Sequence, residues 1–278
     1  MCKESEMELS FESFAEQHGL IIDNLVQDRW TRVPTFDKPR SRNGSYIWDG
    51  RSGAVQNWAV HESPVRYKTD KVARISMEEI RQRKLKTEKV NKEKNNHAIK
   101  VAKDMLDASW KGFHPYMAKK GFPDFKVPIL DGLMLLPMRI DHNLVGLQTI
   151  SQDGTKKFLY GQVTKGAELC IDAKGQHILC EGYATAMSLR RVLKYISVPY
   201  TIHVCFSAAN IKLIAKHYPQ CLIIADNDAV GLKVAKDTGK KYWVSPEAGE
   251  DFNDYELRVG VKEAGKTLTA SGLLVASD

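Results

Sequence analysis

Residues 176–260 alternate short apolar runs with helix-spaced apolar stripes. The runs predict strands at 177–180, 200–206, 221–225 and 241–244. Between them, helices are expected at 183–195, about 208–217 and 229–239, with a last one starting near Asn253. In the first helix Ala184, Ala186, Met187, Leu189 and Leu193 recur at helical spacing. Strands that alternate with helices make a parallel sheet with right-handed crossovers.

Upstream the period shortens. Residues 133–161 read as strand, turn, strand, turn, strand, with turns at Asp141–Asn143 and Asp153–Gly154, which predicts a three-stranded antiparallel sheet. Residues 110–125 read as a loop-rich entry to it. Residues 29–67 place turn signals at Pro34, Asn43–Gly44, Asp49–Gly50 and Ser52–Gly53 between short aromatic and β-branched runs, the pattern of a small sheet of hairpins. A helix precedes it, capped by Ser10, carrying Phe11, Phe14 and Ala15, and ended by Gly19. From Ser76 to Lys103 the chain is charged and mostly basic, and apolar positions are sparse until Ile99, Val101, Met105 and Leu106. This predicts a long solvent-facing helix, opened by a Ser76–Glu79 capping box and broken near Asn95–Asn96. The expected organisation is an α/β, overall α+β, chain: an N-terminal hairpin-rich module (1–67), a charged helical linker (68–109), a basic antiparallel subdomain (110–175), a parallel-sheet domain flanked by helices (176–262) and a weakly patterned tail (263–278).

The 278 residues, 43% of them hydrophobic, suffice for one large or two modest cores. A net charge of +7 suits a nucleic-acid partner without requiring one. Cys2, Cys170, Cys180, Cys205 and Cys221 form no CxxC pair, so no zinc site is expected, and they read as reduced thiols. With no apolar N-terminal leader, and no run near the ~20 residues a membrane helix needs, the expectation is a cytoplasmic protein without membrane contact.

The chemistry gathers at strand ends. Glu181 follows the first apolar run and Gly182 follows at once; Asp226 and Asp228 follow the third; Asp251 and Asp254 follow the fourth. In open α/β sheets ligands collect at the carboxyl ends of strands. A cluster of hard oxygen donors suits Mg²⁺ or Mn²⁺, and such ions serve phosphoryl transfer. The plainer reading of a lone Asp there is a helix cap, and Asp228 can cap the helix starting at Ala229. No P-loop sequence is present, which excludes that class of ATPase. In the hairpin module, aromatic residues interleave with arginines; Arg32, Arg42, Trp48, Arg51 and Trp58 are candidates for binding single-stranded DNA by stacking and phosphate pairing, against the alternative that the rings form the core of a small sheet. Lys119, Lys120, Arg139, Lys156 and Lys157 make the antiparallel subdomain basic.

EGYATA at 181–186, ADNDAVG at 225–231 and GEDFND at 249–254 together resemble the three acidic motifs of the Toprim domain, in the form found in DNA primases of phages, plasmids and other mobile elements. HPY at 114–116, KKG at 119–121 and GLQTISQDGTKKFLYG at 146–161 resemble the segment that precedes Toprim in those enzymes. The resemblance implies a DNA primase that makes short RNA primers on single-stranded DNA by metal-dependent nucleotidyl transfer. It implies Glu181, Asp226 and Asp228 as catalytic residues, Glu181 acting either as base or on metal. It implies Mg²⁺ or Mn²⁺ held by these with Asp251 and Asp254, and template or NTP held by Lys119, Lys120, Arg139, Lys156 and Lys157. The sequence departs from replicative primases at Ala184–Thr185–Ala186, where they carry an acid, and in lacking their zinc ribbon. A separate helicase is expected to supply unwinding. A Toprim nuclease and a non-catalytic single-strand binder are the alternatives.

Overall fold

In the computed structural model residues 10–67, 77–172 and 175–274 are described; Ser76, and with it the expected capping box, lies outside them. The chain divides into two compact units, Met1–Lys84 and Leu85–Asp278.

In the first unit, helix α1 (Phe11–Gln17) starts where Ser10 Oγ accepts the Ser13 N–H at 3.1 Å, the expected cap. Strands β1 (Thr31–Val33), β2 (Gly44–Trp48), β3 (Gly53–Asn57) and β4 (Val65–Tyr67) then form a meander of antiparallel neighbours in chain order. Phe11, Leu20, Val33, Tyr46, Val55 and Tyr67 fill the space between helix and sheet. So small a sheet has little else to bury, and each large side chain removed from water contributes roughly 1.5–3 kcal/mol.

Helix α2 (Met77–Ala108) runs unbroken through Asn95–Asn96, contrary to expectation. Asparagine weakens a helix by bonding its own backbone. Asn95 does not do so; its Oδ1 accepts the Val163 N–H at 3.3 Å. From Ala98 onward the helix packs, with Ala102 buried against Leu135 and Leu147.

The antiparallel sheet has five strands rather than three: β5 (Trp110–Phe113), β6 (Lys126–Leu130), β7 (Leu133–Ile140), β8 (Asn143–Ile150) and β9 (Lys156–Phe158), paired in that order. Helix α3 (Pro115–Lys119), capped by His114, fills part of the expected loop. Strand β6 escapes the sequence pattern because Pro128 interrupts it, and proline in a run argues against an inner strand.

The second sheet has the order β10 (Leu169–Ile171), β12 (Tyr200–Val204), β11 (Gln176–Cys180), β13 (Leu222–Ala225), β14 (Lys241–Val244). Its last four members are mutually parallel and β10 is an antiparallel edge that the sequence pattern did not reveal. Helices α4 (Tyr183–Tyr195), α5 (Ala208–Ile214), α6 (Ala229–Thr238) and α7 (Phe252–Val259) lie where the periodicity put them. Ile178 and Cys180 face one buried cluster with α4 and α7, while Leu179 faces the other with α5. A sheet buried on both faces explains strands that read as unbroken apolar runs.

The expected tail instead begins with α8 (Val261–Ala270), whose Ala264 and Leu268 are buried. Its packing stripe is made mostly of small residues, so the periodicity is faint. No helix among the described residues is long and apolar enough to cross a membrane.

A candidate metal-binding acid site

After β11 the chain turns through α4 to β12 on one side; after β12 it crosses back to β13 on the other. The carboxyl ends of β11 and β13 therefore flank a topological switch point, where open α/β sheets bind ligands. Glu181 is the residue after β11 and Asp226 the residue after β13.

Asp226 is the most perturbed acid. Its Oδ1 is buried and has no hydrogen-bond partner among the described residues. Burial, then the carboxylates of Asp251, Glu181 and Asp228, push its pKa up to about 7, while Lys156 pulls it back. Glu181 is also raised, by burial; Lys156 and the Ala208 N–H oppose that, and Asp228 adds to it. The two share one problem: negative charge in a partly dry cleft, with more negative charge around it.

Asp228 caps α6, its Oδ1 accepting the Gly231 N–H at 2.6 Å. The plainer reading therefore describes one of its oxygens. Asp251 caps α7 in the same way, accepting the Asp254 N–H at 2.9 Å. Asp254 Oδ1 lies 3.1 Å from Lys120 Nζ, which also stands 4.0 Å from Asp251. Among the described residues no group of three or more His, Cys, Asp or Glu is drawn together closely enough to enclose one ion. Two of the five acids are spent partly on caps and Asp254 on an ion pair. What fits a hard cation is the buried free oxygen of Asp226 beside Glu181, with the second oxygens of Asp228 and Asp251 nearby, a set suited to an ion that keeps several waters.

The predicted basic residues separate. Lys156, on β9, and Lys120, after α3, stand among the acids. Lys157 follows Lys156 on the same strand and so points to the opposite face. Lys119 is exposed. Arg139 lies elsewhere, in a cavity beside β10 and β12, with Nη1 donating to His142 O at 2.8 Å.

Several residues the motifs did not single out build the site. Asn227 Nδ2 donates to the carbonyls of Ser245 and Glu247, both at 2.9 Å, and its backbone exchanges hydrogen bonds with Gly249 and Glu250. It ties the Asp226–Asp228 turn to the loop carrying Asp251. Asn253, fully buried, donates to Lys120 O and to Ser188 Oγ, both at 2.9 Å. Behind it Glu256 accepts from Ser188 and Arg191, and Arg191 lies over the Phe122 ring. Tyr116 is raised to about 12 by burial and by Asp251 and Asp254. In sequence the only hint of Asn227 and Asn253 is their place inside the acidic motifs; Tyr116 ends the HPY segment, and Ser188, Arg191 and Glu256 lie outside every motif.

In the hairpin module the candidates also divide. Trp48 stacks on Phe11 at 4.6 Å and 13°, so one face of its ring belongs to the core. That face follows the core alternative for the rings of this small sheet. Trp58 is 45% exposed and carries the Arg32 guanidinium 3.8 Å over its ring. Arg42 and Arg51 are exposed.

Residues 176–262 match the family model of the Toprim domain. Among solved structures, a DnaG catalytic core is 17% identical, with 50% of this chain and 53% of that chain covered and a TM-score of 0.36. A DnaG primase catalytic domain bound to single-stranded DNA is 15% identical over 50% and 53%, with a TM-score of 0.34. A DNA primase domain from Pseudomonas aeruginosa is 16% identical over 60% and 58%, also at 0.34. The chain thus spans about half the length of the solved structures it matches.

Proposed function

We propose that this chain is a DNA primase that makes short RNA primers on single-stranded DNA from NTPs, with Mg²⁺ or Mn²⁺ at the Toprim acids. The observation that carries the reading is the Toprim match over 176–262 together with Asp226, whose unbonded buried oxygen sits beside Glu181 at the switch point. Glu181 and Asp226 would hold the ion, with Asp228 and Asp251 reaching it directly or through water. Once bound, the ion supplies positive charge to the oxygens of the transferring phosphoryl group.

The protein's own residues do the rest. Asp226 must shed its proton to bind the cation, and a pKa near 7 makes that inexpensive at neutral pH. Lys156 opposes the upward shift of Glu181 and Asp226 and is placed to meet a phosphate. Lys120 balances Asp251 and Asp254, keeping the third loop from repelling the NTP. Trp58 with Arg32, together with Arg42 and Arg51, would guide template. A separate helicase would open the duplex.

The test is incubation with labelled NTPs, single-stranded DNA and Mg²⁺ or Mn²⁺. Metal-dependent oligoribonucleotide supports a primase. Cut DNA without primer would make the chain a Toprim nuclease, and bound DNA without either product would make it a binding protein.

A further inference from the structure

On the strand that leads to Glu181, four residues earlier, stands a second polar cluster that the acid site does not use. At about 3.3 Å per residue it lies roughly 13 Å from Glu181. His177 on β11 and His203 on β12 meet at 2.9 Å, Nδ1 to Nε2. His203 Nδ1 lies 2.9 Å from Glu168 Oε2, and Tyr218 donates its O–H to Glu168 Oε1 at 3.4 Å. Tyr218 lies against both imidazoles, with ring centroids 4.2 and 4.4 Å away. These residues line a cavity of about 380 Å³ with Arg139, His142 and Cys170, a volume in the range of small-molecule sites.

The hydrogen bonds fix the protons. The Glu168 carboxylate oxygens accept, so His203 Nδ1 carries a hydrogen and its Nε2 accepts from His177 Nδ1–H. His177 Nε2 is then the one ring nitrogen of this histidine pair without a hydrogen-bond partner among the described residues. Both oxygens of Glu168, the only carboxylate lining the cavity among the described residues, are already engaged. Burial pushes the Cys170 thiol up, so it adds no charge. Arg139 spends one N–H on His142 O and keeps the rest of its fork. Among the described residues, the unfilled bonding capacity of this cavity is therefore mostly donor, with one fixed positive charge.

We propose that this cavity is a phosphate-binding pocket, in which Arg139 pairs with the phosphate oxygens and His177, on taking up one proton at Nε2, donates a second hydrogen bond. The proton goes to His177 because Nδ1 stays committed to His203, and Glu168 at the far end of the relay stabilises the resulting imidazolium. Without ligand, burial and the neighbouring His203 hold the His177 pKa below its usual value, against the pull of Glu168. An anion beside Nε2 and Arg139 reverses that balance. The other groups facing His177 do not titrate against it: Tyr218 is raised to about 12 and Cys170 is raised. His142 shares the cavity and is followed separately.

The experiment uses the full chain in EDTA without divalent ions and follows the histidine ring signals by NMR. Inorganic phosphate is expected to shift His177 and His203 saturably. Arg139→Gln should weaken binding roughly 10- to 100-fold, the worth of a hydrogen bond to a charged group, while Asp226→Asn binds as wild type. Sulfate, whose own charge is constant, should bind more weakly at about pH 8 than at about pH 6, the range over which histidine titrates, and His177→Gln should remove that dependence. A ribonucleoside monophosphate and a 5′-phosphorylated oligonucleotide distinguish a free nucleotide from a strand end as the source of the phosphate. Phosphate that leaves the His177 and His203 signals unmoved, or an Arg139→Gln protein that titrates like wild type, overturns the proposal. Neither result depends on primer synthesis.

Discussion

Asn253 Nδ2 donates to the backbone carbonyl of Lys120 at 2.9 Å, fastening the turn after α3 to the first turn of α7. That bond decides where the Lys120 ammonium stands relative to Asp251 and Asp254. Asn253→Ala should leave Lys120 O and Ser188 without their donor in a buried setting. The expected cost is about 1–3 kcal/mol in urea unfolding, with activity falling further than stability because Lys120 is released. A double-mutant cycle with Lys120→Ala checks this: coupling well above zero is expected in activity.

Asp226 makes metal-free stability fall with pH. Between the ordinary carboxylate range and about 7, the native state keeps a proton that the unfolded chain has lost, so stability declines as pH rises through that window. Asp226→Asn keeps the neutral form. In EDTA the variant should gain on the order of 1–4 kcal/mol over wild type at about pH 8 and little at about pH 4. Thermal melts at the two pH values read this directly, and added Mn²⁺ should stabilise only the wild type.

Gly231 has no room for a side chain. A Cβ there would stand 2.4 Å from the carbonyl oxygen of Asp226, while the Gly231 N–H is the one Asp228 accepts. Gly231→Ala should therefore push the Asp226 turn out of place. The expected result is a stable fold by circular dichroism with Mn²⁺ affinity lowered at least roughly tenfold, since ~1.4 kcal/mol of displacement suffices.

Trp48 and Trp58 should separate stability from binding. Trp48→Ala removes the ring stacked on Phe11 and should cost about 3–5 kcal/mol, enough to unfold a small module. Trp58→Ala should leave the module folded and weaken single-stranded oligonucleotide binding by about 1–3 kcal/mol, the worth of one stacked base. Fluorescence anisotropy beside thermal melts checks both.

The parallel sheet was legible because its strands are buried on both faces, and runs such as Leu222–Ala225 then carry no polar interruption. Glu181 and Asp226 were legible for the same reason: each is the first acid after such a run. The pairing of Lys120 with Asp254, 134 positions apart, leaves no trace in local spacing. Strand β6 was hidden by Pro128, and α8 by a stripe in which Ala264 and Gly265 stand in for larger apolar residues. The roles of Trp48 and Trp58 could not be told apart, because each is an aromatic in a short hairpin and only the position of α1 decides which ring Phe11 covers.

The most direct measurement is Mg²⁺- or Mn²⁺-dependent incorporation of labelled NTPs on single-stranded DNA by the wild type, Glu181→Gln and Asp226→Asn side by side. The expected result is oligoribonucleotide from the wild type, with at least a roughly hundredfold loss in each variant, as when one preorganised charge is removed from a phosphoryl-transfer site. Undiminished primer synthesis by either variant would contradict the assignment of the metal site at the ends of β11 and β13.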